Sequence, residues 1–384
     1  QRASLREESI FEFNRWLRGV VLGKRLMKKI RVLVVDDSAL IRQILTSALN
    51  AADDIEVVGA AMDPIRARDM IKELNPDVLT LDVEMPKMDG ISFLSNLMRL
   101  RPMPVVMVST LTSKASSVTL NALEMGAVDY IEKPNAGLSG DIAVFAAEVQ
   151  EKIRVAASAN VKQLKVVPKR ALPSNLKLQD VDVAQQVFSH IIAIGASTGG
   201  TEAIKAVLSG LPANCPPIVI AQHIPENFSA SFAKRLNNTC AIRAVEASHN
   251  QPVVAGTAYV APGDQHLTLR NISGRYHCWL DKKPKVNRHR PSVDVLFDSV
   301  IESVSRAKAI GVILTGMGND GAAGLRRMRD AGIFTIAQDE ASSVVWGMPG
   351  AAVKLDGACQ IMPLDKIAAH LMKLPKISRE QRAI

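Results

Sequence analysis

The chain is poor in aromatic residues. Nine Phe, three Trp and three Tyr in 384 residues argue against base-stacking nucleic-acid modules, which need aromatic platforms. Cysteine is equally thin. Cys215, Cys240, Cys278 and Cys359 are far apart and form no CxxC pair, which excludes a structural zinc knuckle and a secreted disulfide framework. No apolar run approaches the roughly 20 residues of a membrane span, so stable membrane insertion is not expected and a cytoplasmic protein is. Wholesale disorder is excluded by the 47% hydrophobic and 22% charged composition, which is close to the globular average.

At roughly 100–200 residues per domain the length predicts two or three domains. The net charge of +9 invites a nucleic-acid reading until it is divided along the chain. Residues 30–134 hold 10 basic against 15 acidic residues, whereas 188–384 hold 22 against 15 and 1–29 hold 8 against 3. An acidic module lies between basic ones, and the average describes neither. Residues 1–28 read as an extension ahead of the natural start, because Met27-Lys28-Lys29 directly precedes a strand. A membrane-touching helix is the weaker alternative there.

From Ile30 onward, short β-branched runs alternate with helical stretches. IRVLVV (30–35), IEVVGA (55–60), DVLTL (77–81), PVVMVS (104–109) and VDYIEK (128–133) read as parallel strands. Between the first two, Leu40, Ile41, Ile44, Leu45, Ala48 and Leu49 make one apolar helical stripe. Five strands with helices between them predict a doubly wound α/β domain over 29–150, with its ligands at the carboxyl ends of the strands. Asp36 and Asp37 follow strand one, Asp82 follows strand three, Ser109 ends strand four and Lys133 follows strand five. Three converging carboxylates call for a hard cation such as Mg²⁺, and a lysine with a hydroxyl beside them suits a phosphoryl group. Any one of these acids could be a solvated loop residue, but the combination is hard to reach by chance.

VVDDSALIR (34–42), LDVEMPKMDG (81–90), VSTLTS (108–113) and GAVDYIEKP (126–134) resemble the response-regulator receiver domain. The resemblance implies Asp82 as phosphoacceptor, Asp36 and Asp37 with it as Mg²⁺ ligands, and Lys133 on the phosphoryl group. It also implies Ser109 as switch hydroxyl, Tyr130 as the aromatic that moves with it, and a cis Lys133–Pro134 bond. Residues 151–187, with Pro168 and Pro173 and a helix ending near Ala157, read as a linker. A docking segment for a kinase or receptor and a plain spacer are both open there.

The pattern resumes over 188–375, with a tail from 376 to 384. HIIAI (190–194) is a buried strand, followed by GASTGG (195–200) and a helical stretch. A dinucleotide loop does not fit, since the glycines at 195, 199 and 200 miss G-x-G-x-x-G and no acid follows at the ribose distance. Gly195-Ala196-Ser197-Thr198-Gly199 does match G-x-S-x-G, a sharp turn that lifts Ser197 above a sheet beside helix-start amides. A serine nucleophile needs a base. His223, after the strand PIVIAQ (217–222), lies at the same edge, with His266 as second candidate. His190 starts its strand and falls on the wrong edge, and His249, His277, His289 and His370 read as surface residues. The acid is Asp320, in the glycine-rich turn after AIGVIL, or its rival Asp264. Both could be plain turn formers. The order Ser197, His223, Asp320 also departs from that of α/β-hydrolases. The basic stretch KKPKVNRHR (282–290) is either a solvated loop or an approach surface for an acidic protein.

IGASTGGTEA (194–203), QHIPENFSASFAKRL (222–236), YVAPGDQHL (259–267), RPSVDVLFDS (290–299) and ILTGMGNDGAAG (313–324) resemble the chemotaxis protein-glutamate methylesterase. The likeness implies two doubly wound parallel-sheet α/β domains, a flavodoxin-like receiver and a hydrolase. It implies Ser197 as nucleophile, His223 as base, Asp320 as the acid behind it, and the amides of Thr198 and Met317 as oxyanion donors. The activity so implied is phosphorylation-activated hydrolysis of glutamyl methyl esters, and deamidation of particular glutamines, on chemoreceptors. A histidine kinase would be phosphodonor, Mg²⁺ would serve the receiver, and the esterase step would need no cofactor. Two other classes compete. A DNA-binding output would need a helix-turn-helix after the linker, where strands and helices alternate instead. A nucleotide-binding module is disfavoured by the glycine spacing.

Overall fold

The computed structural model describes residues 28–85, 89–109, 113–133, 142–161 and 190–373. The extension before Lys28, the proposed cis bond at Pro134, most of the 151–187 linker and the 376–384 tail lie outside the described residues.

The first unit runs β1 (Ile30–Val35), α1 (Ala39–Asn50), β2 (Ile55–Ala61), α2 (Pro64–Leu74), β3 (Val78–Asp82), α3 (Gly90–Leu100), β4 (Val105–Ser109), α4 (Ser113–Glu124), β5 (Asp129–Glu132) and α5 (Ile142–Ser158). Its sheet is parallel in the order β2-β1-β3-β4-β5, the flavodoxin-like arrangement. β3 and β4 are buried at every position, as expected for strands covered by helices on both faces. Ser38 caps α1 by accepting from the Ile41 amide at 3.4 Å, satisfying one of the free amides of the first turn. The expected stripe on α1 is narrower than its sequence. Leu45, Ala48 and Leu49 are buried, but Leu40, at the first turn, is 60% exposed. The helix α5 continues past residue 150. Val149, Ile153 and Ala156 pack with Val32, Val106 and Val128 in one cluster, so the packed core extends into the stretch read as the start of the linker.

The second unit runs β6 (Ile191–Ala196), α6 (Gly200–Ser209), β7 (Ile218–Gln222), α7 (Glu226–Thr239), β8 (Arg243–Glu246), β9 (Gln251–Pro252), β10 (Thr257–Val260), β11 (His266–Ile272), β12 (Arg275–Asp281), α8 (Val293–Ser303), β13 (Ala309–Ile313), α9 (Ala322–Asp330), β14 (Phe334–Gln338), α10 (Met348–Lys354), β15 (Gln360–Met362) and α11 (Leu364–Leu371). Seven parallel strands follow the order β15-β14-β13-β6-β7-β10-β8. A separate antiparallel sheet, β11-β12-β9, lies outside the parallel pattern expected from sequence. Its strands are joined by tight hairpin chemistry, with Ser273 and Gly274 both at positive φ between β11 and β12.

Each parallel sheet has a strand-order reversal next to its first strand. It lies between β1 and β3 in the first unit and between β6 and β13 in the second. Chains leaving those strands diverge, and a crevice opens at their carboxyl ends. The two units also touch. The Tyr130 ring stacks on Phe228 at 4.8 Å with 7° between planes, and Glu124 pairs with both Lys205 and Arg235.

Ile153 tests whether α5 belongs to the core of the first unit. Its side chain is fully buried, so Ile153→Ala should cost about 2–5 kcal/mol, seen as a lower urea midpoint for the first unit. An unchanged midpoint would make this half of α5 part of the linker.

Candidate active site

Ser197 and His223 directly follow β6 and β7, whose ends pair Ala196 with Gln222. The His223 amide donates to the Ala196 carbonyl at 3.1 Å, and Gln222 Nε2 donates to the Ser197 carbonyl at 2.9 Å. These bonds tie the two strand ends together beneath the side chains. The turn around Ser197 is close-packed. A Cβ on Gly195 would lie 2.1 Å from Val293 Cγ1, so the strand can pass there only with glycine. The left-handed residue of the turn is Gly199, at φ 73°, and not the serine. Gly199 also caps α6, whose first amides face the same edge. Across the sheet, Gly316 in the loop after β13 comes so near that a Cβ there would lie 2.8 Å from Ser197 Cβ. That loop then carries Met317 and Asp320 into the cleft.

His223 Nε2 lies 2.8 Å from Asp320 Oδ2, and both side chains are buried. The other ring nitrogen, Nδ1, is buried with no hydrogen-bond partner. Asp320 is surrounded by donors. Val293 N donates to Oδ2 at 2.7 Å, while Ser292 Oγ at 2.7 Å and Asn287 Nδ2 at 2.8 Å donate to Oδ1. Burial alone would raise its carboxyl, but His223, Asn287 and the Val293 amide together hold it well below the usual carboxylate range. A carboxylate that stays ionised keeps the proton on Nε2 and leaves the Nδ1 lone pair free.

The rivals are occupied elsewhere. His266 Nε2 faces the Pro284 carbonyl at 3.0 Å and its Nδ1 accepts from the Ser292 amide at 3.2 Å, which makes it a brace between loops. Asp264 is paired with Arg290 at 2.6 Å. His190 sits at the start of β6, away from this edge. One reading is corrected: His289 is not an ordinary surface residue, since its ring stacks on His223 with centroids 3.6 Å apart. His370 is likewise half-buried, against Phe334. Sequence reasoning also missed Asn287, for which charge and spacing carry no signal. In the basic stretch, Lys282, Lys283, Lys285 and Arg288 are exposed, whereas Arg290 is committed to Asp264.

The cleft around Ser197, His223 and Asp320 has a volume of about 1460 Å³, and one wall of it belongs to the first unit. Thr198 is held from that wall, its Oγ1 donating to Asp129 Oδ2 at 2.6 Å. Asp129 is in turn held by Lys152 at 3.1 Å.

At the crevice of the first sheet, Asp36, Asp37 and Asp82 offer oxygens that all lie within 4.8 Å of one another. Lys133 Nζ reaches Asp82 Oδ2 at 2.7 Å and Asp36 Oδ2 at 3.0 Å. Burial pushes the Asp82 carboxyl up to about 6, with Lys133 opposing and Asp36 adding to the rise. Three oxygen donors around a shared space, two of them buried, suit a hard divalent ion. Ser109 is buried at the end of β4 and accepts from Thr119 Oγ1 at 3.1 Å. Tyr130, the aromatic that the resemblance implies moves with this switch, lies in the contact between units. Among the described residues no helix is long and apolar enough to cross a membrane.

Two family models match the chain: the response regulator receiver domain over residues 32–138 and the CheB methylesterase over 192–371. A curated "Protein-glutamate methylesterase/protein-glutamine glutaminase 2" of Saccharophagus degradans is 56% identical over 351 residues, covering 90% of this chain and 99% of its own. A "Protein-glutamate methylesterase/protein-glutamine glutaminase" of Escherichia coli is 52% identical over 355 residues, covering 92% and 99%. The crystal structure of the Thermotoga maritima CheB methylesterase catalytic domain matches at 40% identity with a TM-score of 0.48, over 49% of this chain and 100% of that one.

The carboxylate cluster can be tested without any enzymatic assay. Asp36→Asn removes one charged ligand, a loss of about 1.5–3 kcal/mol, so Mg²⁺ affinity by calorimetry should fall about ten- to hundredfold. Unchanged affinity would move the metal elsewhere.

Proposed function

The chain belongs to the CheB methylesterase family, with a response regulator receiver domain ahead of the hydrolase, and from that premise we propose that Ser197, His223 and Asp320 carry out glutamyl ester hydrolysis. The observation that carries this reading is the 2.8 Å contact of His223 with a donor-saturated Asp320, at the strand-order reversal beside Ser197. The substrate is a glutamyl methyl ester on a chemoreceptor, and a particular glutamine side chain is the second substrate by the same acyl transfer.

Ser197 Oγ attacks the ester carbonyl as His223 Nδ1 takes its proton. The oxygen of the tetrahedral intermediate is met by amides at the start of α6, Thr198 among them, and by Met317. The intermediate collapses, the methoxy group leaves with the proton held by His223, and methanol departs. Water then attacks the glutamyl-enzyme, again giving its proton to His223, and Ser197 is released. With a glutamine, ammonia is the leaving group. Asp320 stabilises the imidazolium formed in each half. Here the carboxylate faces Nε2 and the serine is served by Nδ1, the reverse of the serine-protease template.

Regulation runs through the receiver. Asp82 accepts the phosphoryl group from a histidine kinase, with Asp36, Asp37 and Asp82 holding the Mg²⁺ that would neutralise phosphate charge. Lys133, now shared by Asp82 and Asp36, turns to the new phosphate oxygens, and Ser109 bonds them. The motion of Lys133 pulls on β5, the strand that carries Asp129 to Thr198 and Tyr130 to Phe228. The contact they must break is weak. Exposed ion pairs such as those of Glu124 contribute about 0.2–1 kcal/mol each, and the ring stack about 0.5–1.5 kcal/mol. A phosphoryl group adding roughly −1.5 to −2 charge is enough to shift such a balance. The exposed Lys282, Lys283, Lys285 and Arg288 suit an acidic receptor surface at the cleft mouth.

Ser197→Ala should abolish methanol release from methylated receptor membranes while the melting temperature stays unchanged; release near the wild-type rate would sink the assignment. For regulation, Glu124→Lys should raise unstimulated activity about fivefold, the equivalent of roughly 1 kcal/mol of lost contact. A small phosphodonor should stimulate the wild type and leave Asp82→Asn unmoved. Wild-type basal activity in Glu124→Lys, or equal stimulation of Asp82→Asn, would overturn this route.

A further inference from the structure

The loop before α8 contains a turn whose two side chains reach the proposed catalytic pair from different sides. Val286 and His289 exchange backbone hydrogen bonds, Val286 N to His289 O at 3.1 Å and His289 N to Val286 O at 2.9 Å. The two residues between them, Asn287 and Arg288, are both at positive φ, 51° and 69°, the pattern of a two-residue type I′ turn. Asparagine tolerates that conformation, but arginine does not favour it. A strained non-glycine residue held at an active site is a reason to ask what the strain secures.

Asn287 spends its side-chain amide on two acids. Its single Nδ2 donates to Asp320 Oδ1 at 2.8 Å and to Asp294 Oδ2 at 2.7 Å. Asp294 is itself buried on α8, and burial raises its carboxyl, with the Gly324 amide opposing. Asn287 therefore separates two buried carboxylates that would otherwise repel, and fixes the plane of the one that faces His223. His289 covers the ring of that histidine, with centroids 3.6 Å apart and 11° between planes. Burial, and His223 beside it, push His289 down to about 4, against the pull of Asp320. Lys285 on the same loop and Lys152 on α5 also act to keep it neutral. A neutral ring can lie face to face with His223 when that residue takes a proton; a second imidazolium could not.

We propose that Asn287 and His289 are positioning residues of the hydrolase, the first orienting the Asp320 carboxylate and the second holding the plane of the His223 ring. The proposal rests on the Ser197–His223–Asp320 reading and adds a requirement to it. The turn must be intact for the proton to move between Ser197 and His223, although neither Asn287 nor His289 exchanges a proton.

The test uses the full chain, stimulated with a phosphodonor, and methylated receptor membranes as substrate. Asn287→Gly keeps the positive-φ backbone and removes only the amide. It should lower kcat about tenfold, the scale expected for a modest misplacement of reacting groups, with KM unchanged. His289→Ala should do the same, and His289→Phe, which keeps a stacked ring without a titrating group, should recover most of the loss. Melting temperatures identify any variant that fails through folding, and Asn287→Gly and His289→Phe are chosen to fold. If Ser197→Ala is inactive while Asn287→Gly and His289→Ala turn over at the wild-type kcat, the positioning role alone falls. If Ser197→Ala is active, the triad falls and the positioning role with it. A raised KM at unchanged kcat would assign the turn to substrate binding, and a His289→Phe as impaired as His289→Ala would remove the stack; each outcome overturns the proposal.

Discussion

An ionised carboxylate with 1% of its surface exposed makes heavy demands on its surroundings. Taking such a charge out of water costs several kcal/mol, and each hydrogen bond to it returns about 1.5–3 kcal/mol. Asp320 is therefore possible only where several donors converge. Ser292 and Val293 supply two of them from the first turn of α8, so the acid sits as an anion at a helix start although it belongs to a different loop. Asn287 supplies another from the turn before that helix, the Asp294 amide a longer one at 3.4 Å, and His223 one more from just after β7. The close approach of Val293 to Gly195 and Gly321 explains why both positions lack a side chain. The packing of α8 against the ends of β6 and β13 thus fixes the acid, the acid fixes the histidine, and the histidine faces the serine turn.

The same architectural device appears twice in one chain. In both units the charged groups stand where neighbouring strands lead away in opposite directions, so their side chains meet in a crevice instead of in a packed layer. One crevice gathers Asp36, Asp37, Asp82 and Lys133, and the other Ser197, His223 and Asp320. β5 joins them. Its last residues precede Lys133, which grips Asp82, and its first residue is Asp129, which grips Thr198. Three residues of strand separate the two contacts, too short a span for one end to shift while the other ignores it.

Much of this arrangement could be read from sequence, because strand ends in doubly wound folds are predictable in space. Short β-branched runs located the ends of β1, β3, β6 and β7, and the polar residues just beyond them were the ones the structure brings together. What escaped depends on contacts between segments distant in sequence. Leu40 looked like part of a helical stripe, yet at the first turn of α1 it is left exposed. His289 looked like one basic residue among several, because a ring stack on His223 requires two non-glycine residues at positive φ that no periodicity signals. The antiparallel β9, β11 and β12 have exposed faces and mixed polarity, so they lack the buried runs by which the parallel strands were found. Asp129 and Thr198 are 69 residues apart, and nothing in either segment alone announces the other.

The pairing of Asp129 with Thr198 also bears on concentration. Both partners belong to one chain, so the closed arrangement forms by a unimolecular step, and covalent linkage gives one domain an effective concentration near the other that can reach the millimolar range. Contacts too weak to hold two separate proteins together can then keep the cleft covered at any dilution of the enzyme. A receptor segment must outcompete that internal occupant. A high local density of receptor segments would act against it. Under the proposed regulation, phosphorylation and receptor density would act on the same equilibrium, one by weakening the internal contact and the other by strengthening its competitor.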